Sequence, residues 1–138
     1  MRRIVIALAV VLFPLCASAW AQAGKADAKT AAEPVVKQLE AFRRDDYDTA
    51  FTFASEEIRT QFDRQSFELM VRRGYPEIAR STFVVITRTE LAPDGSAYVT
   101  VKIRGDNGQS IEALYELVWQ RDGWRINGVA TRPDAGVV

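Results

Sequence analysis

Ser110-Ile111-Glu112-Ala113-Leu114-Tyr115-Glu116-Leu117-Val118-Trp119-Gln120-Arg121-Asp122-Gly123-Trp124-Arg125-Ile126 reads as two strands and the turn between them. Ile111, Ala113, Tyr115, Leu117 and Trp119 alternate with Glu112, Leu114, Glu116 and Val118. That period of two, in residues that are largely β-branched, aromatic or aliphatic, marks a strand with one face turned to a core. Asp122-Gly123 is a strong hairpin signal, and Trp124-Arg125-Ile126 restarts the alternation. Working back from this hairpin, Ala97–Arg104 and Thr82–Leu91 show the same pattern, divided by Asp106-Asn107-Gly108 and Pro93-Asp94-Gly95. Four runs, Thr82–Leu91, Ala97–Arg104, Ser110–Gln120 and Trp124–Thr131, therefore form an antiparallel meander.

Residues directly opposite one another must share a face, so turn length sets the register. A two-residue Asp122-Gly123 turn places Trp119 opposite Ile126 and Leu117 opposite Gly128. A three-residue Asp106-Asn107-Gly108 loop with Gly108 left-handed places Val101 opposite Ala113 and Val99 opposite Tyr115. A three-residue Pro93-Asp94-Gly95 loop pairs Val85 with Ile103 and Leu91 with Ala97. The inner face then carries Val85, Leu91, Val99, Val101, Ile103, Ile111, Ala113, Leu117, Trp119, Trp124 and Ile126. The outer face mixes Arg88, Glu90, Lys102, Arg104, Glu112, Glu116 and Arg125 with Val84, Ile86, Tyr98, Leu114, Val118 and Val129. It is too apolar to be fully wetted and too charged to be a core. Ile86, Tyr98, Leu114, Val118 and Val129 are candidate contacts of a homodimer, against the alternative of a half-exposed sheet.

Upstream of the strands the period changes to that of helices. Thr30-Ala31-Ala32-Glu33 matches a capping box, followed by Val36, Leu39 and Phe42, with the helix ending near Arg43-Arg44. Asp46 and Ser55 are expected to cap two further short helices. A fourth runs from about Arg64 to Arg73, with Gly74 expected to close it in the left-handed conformation. Tyr75-Pro76 then turns the chain. Helices followed by a four-stranded antiparallel sheet make an α+β fold.

The N-terminus carries a different message. Arg2 and Arg3 precede an apolar run from Ile4 to Leu15, and small-x-small sites follow at Ala17-Ser18-Ala19 and Ala21-Gln22-Ala23. This is the layout of a secretory signal peptide, with cleavage after Ala23 favoured over Ala19. An uncleaved anchor is the alternative, but a spanning helix needs roughly 20 predominantly apolar residues and this run changes character after Pro14. The expected organisation is a signal peptide over 1–23, a disordered leader over 24–30, one domain over 31–133 and a flexible tail over 134–138. The expected location is periplasmic or secreted, with no membrane attachment after cleavage.

Of 18 basic and 18 acidic residues, cleavage removes only Arg2 and Arg3, which leaves a slightly acidic chain without the basic excess of a nucleic-acid binder. The chain has no histidine, and its one cysteine, Cys16, lies in the signal. The mature protein therefore has no disulfide, no Cys or His metal ligand and no Cys–His or Ser–His pair for nucleophilic catalysis.

Helices followed by an antiparallel sheet that curves around their apolar sides resemble the nuclear-transport-factor-2-like (SnoaL-like) superfamily, the cone-shaped fold shared with ketosteroid isomerase and scytalone dehydratase. Cystatin-like proteins are topological neighbours, though no Gln-x-Val-x-Gly stretch is present and there is more helix here. Three stretches are more narrowly similar to the bacterial family DUF4864: Ala41-Phe42-Arg43-Arg44-Asp45-Asp46-Tyr47-Asp48-Thr49-Ala50-Phe51-Thr52-Phe53-Ala54-Ser55, Val71-Arg72-Arg73-Gly74-Tyr75-Pro76, and Glu112-Ala113-Leu114-Tyr115-Glu116-Leu117 ahead of Asp122-Gly123-Trp124-Arg125-Ile126. The resemblance implies the fold and an exported location. It brings no activity, cofactor or catalytic residue.

An isomerase-like site needs a carboxylate or histidine base on an apolar wall, facing a tyrosine or a protonated acid. No carboxylate falls on the expected inner sheet face, so catalytic residues are expected to be absent. Turning Glu112 and Glu116 inward by a one-residue slip would expose Ile111, Leu117 and Trp119, a loss of several kcal/mol at ~25 cal/mol per Å². Tyr115 is the strongest polar handle aimed into the cone, with Tyr47 and Tyr75 from the helical side and Trp119 beside it. These four are the candidate ligand-binding residues, and each can equally be core. Asp45, Asp46 and Asp48 form the densest acid cluster, but nothing matches an EF-hand loop, and capping accounts for at least one of them. The function expected is a non-catalytic small-ligand-binding or accessory module, its candidate ligand a small apolar molecule, with no cofactor or metal. A protein-interaction domain with a filled core is the alternative, and a small isomerase- or dehydratase-like enzyme comes third.

Overall fold

A computed structural model describes residues 27–134, and the expected signal peptide lies outside the described residues. The described residues begin within the stretch 24–30 expected to be a disordered leader. Ala28–Ala31 form a 3-10 turn capped by Asp27, whose carboxylate accepts from Lys29 N at 3.2 Å. Five helices follow: α1 Ala32–Arg43, α2 Tyr47–Thr52, α3 Glu56–Gln61, α4 Arg64–Gly74 and α5 Pro76–Ala79. The strands β1 Ser81–Leu91, β2 Ala97–Gly105, β3 Ser110–Gln120 and β4 Gly123–Pro133 form one antiparallel sheet in the order β1-β2-β3-β4. The architecture is the α+β arrangement expected, helices first and then a curved, open four-stranded sheet. No helix among the described residues is long and apolar enough to cross a membrane.

Local chemistry sets most helix boundaries. Asp46 Oδ1 accepts from Thr49 N at 3.1 Å, and Ser55 Oγ accepts from Ile58 N at 3.2 Å, so both caps form where the sequence places them. Two details differ. The Thr30–Glu33 capping box is not made, because Ala31 is the N-cap of α1 and Thr30 accepts instead from Trp124 Nε1 at 3.1 Å. Gly74 stays inside α4 without a left-handed φ, and Tyr75 leads directly into the short α5. A capping box does form on α4, between Asp63 and Ser66.

The β2–β3 register agrees with the sequence reading: Val101 faces Ala113, Val99 faces Tyr115, and Gly108 is left-handed at φ 79°. The outer strands differ by bulges. Leu91 pairs with Ala97 as expected, but an irregularity between Ile86 and Arg88 shifts the rest of β1. Ile86 then faces Val101 and Val84 faces Ile103, and both pack on the core, while Val85 turns outward. On β4 the turn is Arg121-Asp122, not Asp122-Gly123, with Arg121 at φ 58°. Trp119 therefore faces Trp124, and Leu117 faces Ile126. The four aromatic and aliphatic side chains meet in pairs, which outweighs the cost, roughly 1–2 kcal/mol, of one non-glycine residue in the left-handed region. Past Ile126, the extra residue Asn127 turns Val129 inward, opposite Tyr115.

The core lies between the concave face and the helices. Val99, Val101, Ala113, Tyr115 and Leu117 from the sheet meet Val35, Leu39 and Phe42 from α1, all essentially without exposure. Phe67 and Val71 of α4 and Ile78 and Ala79 of α5 close the rest. Helix α1 packs on α2, α5, β1 and β4, whereas α4 packs chiefly on α2 and α5. The gap this leaves between α4 and the β3–β4 side of the sheet is where the site forms.

Candidate functional site

A cavity of about 270 Å³ opens between the helices and the end of the sheet. Its floor is Phe42 and Gln38 from α1 with Tyr115 from β3. One wall is Phe67, Met70 and Val71 from α4, continued by Tyr75 and Ile78, and another is Ala54, Ile58 and Phe62. Ile126, Gly128 and Val129 of β4 complete it. Among the described residues no Asp, Glu, Lys or Arg lines it.

The β4 wall exists because of the bulge, and the bulge is held from the helical side. Ser55 N donates to Ile126 O and Ile126 N donates to Phe53 O, both at 2.8 Å, a parallel bridge between the α2–α3 connection and the strand. One residue on, Ser55 Oγ donates to Asn127 Oδ1 at 2.8 Å while accepting from Ile58 N. A single buried serine thus caps α3 and anchors the residue that turns Val129 into the cavity.

Two residues of the lining carry polar side-chain groups beyond Tyr75. Gln38, nearly fully buried, donates from Nε2 to Ala50 O at 3.1 Å, tying α1 to α2. The Tyr115 hydroxyl is buried and has no hydrogen-bond partner among the described residues. Burial alone pushes its phenol well above the ordinary tyrosine range, so it is protonated at every physiological pH. A buried hydroxyl without a partner costs roughly 1–3 kcal/mol.

The four ligand-binding candidates do not converge. Tyr115 and Tyr75 line the cavity together. Tyr47 does not line it; its ring lies 5.2 Å from that of Phe42, under the Arg72 guanidinium at 4.7 Å, and its buried hydroxyl also lacks a partner. Burial first of all raises the Tyr47 pKa. Trp119 sits elsewhere, edge-on to Trp124 at 5.3 Å, beside a separate surface hollow that includes Lys37 and Arg125. Among the dimer candidates, Ile86 and Val129 move to the inner face, while Tyr98, Leu114 and Val118 keep outward positions. Gln38, Phe42, Ile58, Phe62 and Met70 were not anticipated. Gln38 had a signal: it lies three and four residues from Val35 and Phe42 on the buried stripe of α1, a position where a polar side chain needs a reason.

The acid cluster is spoken for. Asp46 caps α2, Asp45 Oδ1 bonds Arg72 at 3.2 Å and Arg80 at 3.1 Å, and Asp48 bonds Arg64 at 2.6 Å. Among the described residues no group of three or more acids, cysteines or histidines is placed to hold a metal ion.

The profile of the family described as "Domain of unknown function (DUF4864)" matches residues 24–137. The chain belongs to the DUF4864 family. No curated protein and no solved structure matches this DUF4864 chain. The match begins at the residue that follows the favoured cleavage site.

Proposed function

We propose that this DUF4864 protein is an exported, non-catalytic module that binds a small apolar molecule in the cavity between α4 and β4. The observation that carries the reading is the cavity itself, about 270 Å³ and walled by Phe42, Phe62, Phe67, Met70 and Val129. The cavity's volume is close to the range of small-molecule sites, which are mostly apolar with a few placed polar groups. Absence of catalysis rests on the same lining. Among the described residues no carboxylate or amine lines the space, so no general base stands there. Export rests on the signal layout over residues 1–23 and on a family match that starts at residue 24.

A thermal-shift screen of apolar small molecules tests this. A molecule at one hundred times its dissociation constant stabilises the fold by about 2.7 kcal/mol. Val129→Trp, which fills the cavity from the β4 side, should abolish the shift while leaving the protein folded. A screen in which no apolar molecule shifts the wild type, or in which Val129→Trp responds equally, would contradict the site.

A second reading has its own observation. The outer sheet face leaves Phe83 62% and Leu114 43% exposed, among charges of both signs. This favours a homodimer through that face, with Tyr98, Leu114 and Val118 as contacts and with Phe83 and Val85 in place of Ile86 and Val129. The two readings are compatible, because cavity and outer face lie on opposite sides of the sheet.

A further inference from the structure

We infer that the open hollow beside the β3–β4 hairpin binds a phosphate monoester, held by the guanidinium groups of Arg59, Arg121 and Arg125. The site is separate from the cavity, with which it shares only Ala54 among the described residues, and it does not rest on the binding reading above.

The hollow, about 670 Å³, lies between α3 and the hairpin. Three arginines and one carboxylate, that of Glu56, line it, in a chain whose basic and acidic residues are equal in number. The three come from different segments: Arg59 from α3, Arg121 from the turn and Arg125 from β4. Among the described residues Arg121 alone of the three meets a carboxylate, Glu56 Oε1, at 3.3 Å. Both partners of that pair are largely exposed, so it is worth little and is easily exchanged for a better one.

The arginines are restrained without being used up. Arg59 is stacked on Phe51, its guanidinium 5.5 Å from the ring centre. Arg125 donates from Nη1 to Trp124 O at 3.0 Å and lies against Gly123, where a Cβ would come within 2.7 Å of it. Each guanidinium keeps most of its N–H donors for a ligand. Gln120 fixes the two sides of the hollow relative to each other: Oε1 accepts from Glu56 N at 2.9 Å, and Nε2 donates to Glu57 Oε2 at 2.7 Å. Cations already held in a frame cost less to order around an anion.

The turn supplies an independent sign. Arg121 takes φ 58° at the first of its two residues, the place glycine fills at no steric cost. Pairing of Trp119 with Trp124 decides where the turn falls, but it does not require an arginine there. What the arginine adds is its side chain. Three arginines against one glutamate leave an excess of two positive charges, whose complement is a dianion. A phosphate monoester carries about 1.5–2 negative charges at neutral pH, and the guanidinium fork matches its oxygens in pairs.

Calorimetric titration of the full mature chain at low ionic strength, with phenyl phosphate and benzoate as probes, tests the inference. Phenyl phosphate is expected to bind about tenfold tighter than benzoate, and Arg59→Gln or Arg125→Gln to weaken it about tenfold, the worth of one hydrogen bond to a charged group. Arg121→Gly should weaken it as much while the thermal midpoint holds or rises, because glycine accepts the turn's φ freely. A lower midpoint with unchanged affinity would show that this arginine serves the fold alone and would overturn its place in the site. Retention of the wild type on phosphatidate vesicles, lost in Arg59→Gln, would put the phosphate on a lipid. Binding of phenyl phosphate without such retention would put it on a soluble molecule, and either result supports the site. Phenyl phosphate that fails to bind, binds no tighter than benzoate, or binds the wild type and all three variants equally would overturn it. None of these outcomes touches the cavity between α4 and β4.

Discussion

Tyr115 and Tyr47 show how one residue type divides at the residue scale. Both are fully buried and both hydroxyls lack a partner among the described residues, yet only Tyr115 belongs to the cavity lining. In the ligand-free protein neither hydroxyl contributes a hydrogen bond, so Tyr115→Phe should leave the unfolding free energy unchanged or raise it by up to about 1 kcal/mol, measured by urea denaturation. A loss of stability would mean that the hydroxyl has a structural partner. That Tyr115 points inward was legible from the alternation Ala113-Tyr115-Leu117. That Tyr47 belongs to the core alone was not, because sequence spacing does not reveal which side of α2 meets Phe42 and which meets the cavity. The capping acids make a separate prediction. Hydrogen bonds from Thr49, its side chain and then its backbone N–H, hold Asp46 below the ordinary 3.8, and those from Ser66, backbone and then side chain, do the same for Asp63. A depressed folded value means stability that is complete above the ordinary value and lost as pH falls through the lowered one. Thermal midpoints should thus be flat from neutrality down to the ordinary aspartate range and drop below it. In Asp46→Ala that drop should shrink.

At the scale of elements, the strands and most helix caps could be read directly, and the bulges could not. Asp46, Ser55 and the turn glycines carry local signals, since each satisfies a backbone need within three or four residues. A bulge leaves no such mark. The extra residue at Thr87 places Val84 and Ile86 inside with Val85 outside, and the one at Asn127 exchanges Gly128 for Val129 opposite Tyr115. Each trades a regular ladder for a better-filled inner face, a choice made by tertiary packing. The Asn127 bulge has a visible anchor, so Ser55→Ala should remove both the α3 cap and the bond to Asn127. The expected cost is about 1–2 kcal/mol in chemical denaturation, together with weaker binding in the cavity. Gly108, at φ 79° with open space around it, should tolerate alanine sterically but lose roughly 1 kcal/mol to the left-handed backbone.

For the whole molecule, the fold class followed from a change of period, 3.6 before Tyr75 and 2 after Thr82, with helices confined to one face of an open sheet. The cavity was less legible, because it depends on α4 standing off the sheet and on β4 bending toward it, neither of which any single stretch encodes. The outer face supplies a prediction at this scale: Leu114→Glu should shift sedimentation from dimer to monomer, and unchanged sedimentation would rule out an interface centred there. Native mass spectrometry on protein exported with its own signal and purified gently checks at once the proposed export and the proposed small uncharged ligand. The expected spectrum is of a chain beginning at Gly24 that carries an added small mass, released on activation. A spectrum of bare polypeptide, unchanged in mass on activation, would contradict it.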